Sequence, residues 1–529
     1  MGRTPLIVIL LAAALLALPS AALANAQQIS IVQDDDLLLY RDAATRDRAL
    51  QQMKQLGVDS VRVTVLWSVA AQDVKKTPAR AKRFRGNDPK TYPAANWDKY
   101  DDLVRAAVYF GITPYFSVTG PGPPWAMGTP PPSQKRSAAT WMPNVGEWAK
   151  FVAALGKRYS GTYRDENQGR QILPRVSFWG VYNEPNQGGW LTPQYAGSPI
   201  VHKVIPWSPV MYRRLFLYGR RALQATGHGN DIILLGETAP IGNSSQNTRS
   251  PMRPKKFLRE LLCVNANYQP YTGTAAKARD CGIFKRLGPL TPTAYGHHPY
   301  TKTLPPTVPD SSADSITMAN IGDLPNLLDK LADITHNVPK NLPVFMTEFG
   351  YETNPPDPYS GQPLAKQPEY LNEGDYLAYL NPRIFSQDQF ILRDVGPVPG
   401  HKPNTKAYWF TYQSGLYFND GNVPPPRAYD HAKPAAQAYA FPFVVNPVNG
   451  ALGIWGQLRF RPNGAQGDQV FIAYRPPGGD FVGDGDPITV NNPLGFFQGT
   501  VPYMGPGTYE AIWFGADFPN FALSRAIDL

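Results

Sequence analysis

The sequence predicts an α/β protein: a (β/α)8 TIM barrel followed by a small C-terminal β-sandwich domain. Three observations predict it. Strand-like apolar runs alternate with amphipathic helical runs along most of the 529 residues, the pattern of βα units around a parallel sheet. Eight strands can be counted, which favours a closed barrel. A doubly wound sheet is the alternative, but no glycine-rich phosphate loop follows any strand. After Pro447 the texture changes to short runs of alternating polar and apolar residues, separated by Gly, Pro, Asn and Asp, as in a sandwich.

Each element follows in order. Ile29 to Val32 is the first strand, and Arg46 to Leu56 a helix with Leu50, Met53 and Leu56 three apart. Val58 to Leu66 (VDSVRVTVL) is the second strand, whose alternation points Arg62 away from its valine neighbours. Trp97 to Phe110 is a helix ended by Gly111, and Ile112 to Val118 the third strand. Asn144 to Tyr159 is a helix with Trp148, Val152, Leu155 and Tyr159 on one face. Val176 to Tyr182 is the fourth strand. Ser208 and Pro209 suit the cap and first turn of a helix to Thr226, with Met211, Leu215, Tyr218 and Ala222 buried. Asp231 to Gly236, Thr293 to Gly296 and Pro343 to Thr347 are strands five to seven. Helices Pro254 to Val264 and Leu324 to Ile334 lie between them. Residues 353–400 are loop-rich with some helix, Ala407 to Tyr412 is the eighth strand, and Pro434 to Ala440 a helix.

The first residues carry Arg3, an apolar stretch from Leu6 to Leu18, and small-residue cleavage sites at Ala22-Leu23-Ala24 and Ala24-Asn25-Ala26. They predict a signal peptide over residues 1–26, removed on export; an uncleaved anchor is the alternative, and no other segment could span a bilayer. Export to an oxidising compartment predicts that Cys263 and Cys281, the chain's two cysteines, are joined. A loop of that size contributes about 3 kcal/mol in the chain-entropy model. Two cysteines cannot complete a zinc site, and no CxxC or HxxxH lies near them. The net charge of +10 is mild for this length and scattered; no nucleic-acid module is present.

In a βα barrel, residues just past the C-terminal ends of strands converge on one mouth. Asn183 and Glu184 (VYNEPNQGGW) follow the fourth strand, and Glu348 (MTEFGYE) follows the seventh. His297, His298 and Tyr300 (YGHHPY) follow the sixth. Arg62 sits on the second, Trp125, a substrate contact as a sugar platform or else loop packing, follows the third, and Trp409 lies on the eighth. Two carboxylates across an aromatic cleft suit glycosidic bond cleavage: one protonates the departing oxygen, the other attacks the anomeric carbon or activates water. Neither a GxSxG elbow nor an HExxH metal motif occurs. Of His297 and His298 only one can face the mouth, since successive strand residues face opposite ways; His298 is taken as the substrate contact. Glu237 and Glu352 are weaker carboxylate candidates.

These motifs resemble the retaining glycoside hydrolases of clan A, most like the family 5 cellulase-like enzymes with some resemblance to family 39. Asn183-Glu184-Pro185, Thr347-Glu348-Phe349-Gly350, His298-Pro299-Tyr300 and Arg62 carry the resemblance, over roughly residues 30–443. It implies that Glu184 is the acid/base and Glu348 the nucleophile, that Asn183 binds the sugar 2-hydroxyl, that Tyr300 orients Glu348, that Arg62 holds Glu348 ionised, and that Trp409 floors the reactive subsite. The expected protein is then a secreted monomer with a catalytic domain over 27–445 and an accessory domain over 446–529. It would act on a polysaccharide or oligosaccharide, with no cofactor, metal, nucleic acid or membrane span. A non-catalytic carbohydrate-binding protein on the same barrel and a metal-dependent hydrolase using His297 or His298 are the alternatives.

Overall fold

The computed structural model describes residues 24–167, 169–419, 431–461, 465–483, 485–515 and 521–529. The first 23 residues, most of the expected signal peptide, lie outside them. Eight parallel strands form one sheet: β1 (Ile29–Gln33), β2 (Ser60–Leu66), β3 (Thr113–Thr119), β4 (Phe178–Val181), β5 (Ile232–Thr238), β6 (Ala294–His297), β7 (Val344–Met346) and β8 (Ser386–Phe390). Their spatial order is β8-β1-β2-β3-β4-β5-β6-β7. The ends meet where Val344 bridges Ile384 in parallel and Phe390 N donates to Phe349 O at 2.7 Å, so the sheet closes. A helix follows each strand: α1 (Ala43–Gln55), α2 (Asp98–Tyr109), α3 (Val145–Arg158), α4 (Ser208–Ala225), α5 (Pro254–Leu261), α6 (Asp323–Thr335), α7 (Lys366–Tyr379) and α8 (Pro434–Ala440).

The strands are buried on both faces, as covered parallel strands are. In β2, Val61, Val63 and Val65 join the apolar layer shared with the helices, while Arg62 and Thr64 alternate with them. Ile31, Tyr115, Phe178, Leu234, Ala294 and Phe345, from six different strands, pack together inside the barrel. Tyr115 and Phe178 stack there at 4.1 Å. The helices begin where capping chemistry allows: the Asn144 side chain accepts from Glu147 N at the start of α3. On α4 the expected cap differs. The Ser208 hydroxyl donates to Gln194 Oε1, and Tyr218 is exposed; Tyr212, Phe216 and Leu223 share the buried face with Met211 and Leu215.

The expected eighth strand requires correction. Ala407 to Tyr412 is loop, with Phe410 and Tyr412 exposed. The strand is instead SQDQF, whose Ser386, Gln387, Asp388 and Gln389 are buried although polar. They are tolerated because they are bonded: Ser386 Oγ donates to Met346 O, and Asp388 Oδ1 accepts from Phe349 N.

The C-terminal region is antiparallel and begins at β9 (Phe443–Val448), so the expected boundary at 445/446 lies inside that strand. β9, β10 (Ala451–Gln457) and β12 (Phe496–Pro502) form one sheet; β11 (Gln469–Arg475) and β13 (Thr508–Phe514) centre another. Phe443, Leu452, Ile454, Val470, Phe497 and Tyr509 fill the space between. This region is bolted to the barrel by the buried Arg459, which reaches Tyr439 O at 2.8 Å, Asp375 Oδ2 at 2.9 Å and Gln387 Oε1. Trp455 packs on Tyr376 and Tyr379 of α7.

Cys263 and Cys281 are joined, with Cα atoms 5.8 Å apart. Peptide mapping of the non-reduced protein should recover them as one linked species. Alkylatable thiols at both positions would contradict the pairing.

Candidate active site

Arg62 is the hub of the barrel mouth and is fully buried. Its Nη1 donates to Glu348 Oε1 at 2.8 Å, its Nε to Glu237 Oε1 at 3.1 Å, and its Nη2 to Asn183 Oδ1 at 2.6 Å and Ser117 Oγ at 3.1 Å. Gln33, at the end of β1, also accepts from Nη1. Burial opposes the guanidinium charge, and Glu237 and Glu348 outweigh it, so Arg62 stays charged. A planar five-donor group is what fixes several acceptors at once.

The chain turns sharply after β4. Tyr182 and Glu184 have φ of 78° and 38°, the left-handed region that non-glycine residues seldom occupy. Two bonds hold the turn: Tyr182 N donates to Val118 O, and Glu184 N donates to Glu237 O at 3.0 Å. Asn183 is pinned by Arg62 through Oδ1, and its backbone N–H donates to Thr119 Oγ1. The Asn183 NH₂ is thereby the end left for a ligand.

His298 stands between the two carboxylates. Its Nδ1 is 3.0 Å from Glu184 Oε1 and 3.5 Å from Glu348 Oε2, and burial lowers its pKa to about 4, leaving the ring neutral near pH 7. His297 faces the other way and is satisfied by Thr238 Oγ1 and Ile316 O. Tyr300 donates to Glu348 Oε2 at 3.3 Å. Carboxylate oxygens of Glu184 and Glu348 lie within 4.8 Å of each other.

Burial raises Glu184 to about 7, against the pull of Arg62 and a hydrogen bond from Trp190. Burial also raises Glu348, while the charged Arg62 guanidinium draws it down. Between the two, Glu348 ionises first, because it alone is in direct contact with Arg62. The donor atoms of Glu184, His298 and Glu348 are close enough to hold a metal ion. Such an ion would sit beside the Arg62 guanidinium, whose charge opposes it.

The cleft over this cluster holds about 530 Å³. Glu184 and Tyr300 line it with Phe390, Tyr412, Lys302, Lys406 and Glu352. The two expected tryptophan contacts are not among its walls. Trp409 lies on the 407–412 loop, its Nε1 donating to Pro403 O, and it lines a separate cleft with Pro356 and Val395. Trp125 packs against Phe84 and Trp67, with Lys75 Nζ 4.0 Å over its ring; of its two readings, loop packing is the one its surroundings match. Phe390, at the end of β8, supplies the aromatic wall instead. Sequence reading missed Phe390 because its strand is polar. Tyr115 and Ser117, beneath Arg62, were also missed, though strand alternation with Arg62's neighbours could have found them.

No family model matches the chain, and no curated protein matches it. Among solved structures, a family 39 glycoside hydrolase from the gut symbiont Bacteroides cellulosilyticus WH2 aligns over 91% of this chain and 80% of its own, at 13% identity and a TM-score of 0.47. A family 1 β-glucosidase from Thermotoga maritima aligns over 74% and 84%, at 13% identity and a TM-score of 0.46. At that similarity, any statement about activity rests on the side chains of the mouth.

Proposed function

We propose that this protein is a retaining β-glycoside hydrolase that cleaves O-glycosidic bonds in a polysaccharide or oligosaccharide by double displacement. The observation that carries the reading is the pair Glu184 and Glu348, with oxygens within 4.8 Å across the barrel mouth. That spacing suits a retaining enzyme; an inverting one needs roughly 6.5–9.5 Å between its carboxyl groups to seat a water. The two environments differ in the required sense. Glu184, raised to about 7, keeps a proton to give to the departing oxygen. Glu348, paired with Arg62 and bonded by Tyr300, attacks the anomeric carbon. Once the glycosyl–enzyme bond forms, the negative charge of Glu348 is consumed, and Glu184 is freed to act as the base that activates water. Asn183, held by Arg62, presents its amide to the sugar 2-hydroxyl, where hydrogen bonding strengthens in the transition state.

Proton NMR of the first-formed product should show the anomeric configuration of the substrate retained. An initially inverted product would overturn the mechanism while leaving glycoside hydrolysis intact.

Export belongs to the same proposal, supported by the Cys263–Cys281 bond. No helix among the described residues is long and apolar enough to cross a membrane. Asn25 N donates to Tyr379 O and Asn25 Nδ2 to Ile384 O. Processing after Ala24 preserves both bonds; processing after Ala26 removes them.

A further inference from the structure

A third carboxylate, Glu237, lies beneath the cleft, and the double displacement does not use it. It is fully buried. The flanking strands make room for it: a Cβ at Gly180 on β4 would lie 2.5 Å from Glu237 Oε2, and one at Gly296 on β6 would lie 2.8 Å from its Cγ. The register between β5 and β6 slips between Gly236 and Thr238, and Glu237 has a φ of 48°. A bulge re-aims a side chain in this way. Two neighbouring strands and the backbone of a third are thus adapted to one side chain.

Its oxygens accept from Arg62 Nε at 3.1 Å, from Ser117 Oγ at 2.7 Å and from the Tyr115 hydroxyl. The guanidinium is planar, so its donors move together. Glu237 holds the Nε edge; Glu348 and Asn183 take the other nitrogens. We propose that Glu237 is a positioning residue: it seats the Arg62 guanidinium in one plane and takes a share of its charge, so that Glu348 stays ionised yet nucleophilic. This rests on the reading of Glu348 as the nucleophile. With Glu237 neutral, the whole charge of Arg62 would bear on Glu348 and weaken its attack.

The charged and titratable groups facing Glu237 come from every side. They are Arg62 from β2, Tyr115 from β3, Glu184 from the end of β4, Tyr212 from α4, His298 from the end of β6, Glu348 from the end of β7 and Asp388 from β8. Arg62 is the fixed cation among them. The negative charge of Glu237 raises both Glu184 and Glu348. Removing it therefore moves both limbs of a pH–rate profile toward acid.

The test uses the full chain and the aryl glycoside it turns over fastest in a panel. Glu237→Gln should fold, lower kcat about tenfold with KM little changed, and move both limbs of kcat/KM acidward by about half a unit or more. Tyr115→Phe removes a donor that disperses the Glu237 charge, and should move the limbs the opposite way. If Glu237→Gln does not fold, Tyr115→Phe carries the test alone. Lost activity or lost thermal stability with unmoved limbs would make Glu237 merely structural and overturn the proposal. Absence of glycoside turnover by the wild-type chain would overturn the reading of the site itself.

Discussion

Glu348→Gln should lower turnover by roughly four orders of magnitude or more, the scale on which loss of a covalent nucleophile acts. The fold should survive. Arg62 keeps Glu237 as a counter-ion at 3.1 Å, and Asn183 and Ser117 still accept from it, so no buried charge is left unpaired. Circular dichroism should therefore match the wild type. Glu348→Ala leaves space beside the anomeric carbon. Azide should fill it and restore turnover of an activated substrate, giving a glycosyl azide of inverted configuration. Near-normal activity in Glu348→Gln would remove Glu348 from the mechanism.

Glu184→Ala should separate substrates by leaving group. General acid catalysis contributes roughly 10²–10⁴-fold, and it matters most when the departing oxygen is basic. Aryl glycosides with acidic phenols should keep much of their glycosylation rate; unactivated glycosides should lose about a thousandfold. The pH dependence gives a second readout. Glu184 works as an acid only while protonated, and burial raises it to about 7. The wild-type rate should then fall as pH rises through about 7, and the variant should lack that alkaline limb. An unchanged limb in Glu184→Ala would assign the proton to another group.

Much of this site was legible in the sequence, for a physical reason. A barrel converts position at a strand end into position at the mouth. Once Val176 to Tyr182 and Pro343 to Thr347 read as strands, Glu184 and Glu348 had to converge. Alternation in VRVTV likewise turned Arg62 inward, and the two-residue period left one of His297 and His298 for the cleft. These inferences depend on local periodicity alone. Export chemistry suggested the cysteine pairing in the same way, through composition and not geometry.

Tertiary structure decided the rest. The run AYWFTY is as apolar as a strand, yet it lies on a loop, while SQDQF closes the barrel despite its polarity. Apolar runs reveal buried strands only when burial is satisfied by packing. In β8 it is met by hydrogen bonds that Arg459 and Phe349 donate and that the Met346 carbonyl accepts, residues distant in sequence. That is why Trp409 was misplaced and Phe390 missed. Glu237 could be read as a carboxylate near the mouth, but its partners are set across strands. The glycines that admit it lie on β4 and β6, and the arginine it holds lies on β2. Local sequence determines which residues reach the mouth; only the closed barrel determines which charges share it, because that depends on contacts between strands far apart in the chain.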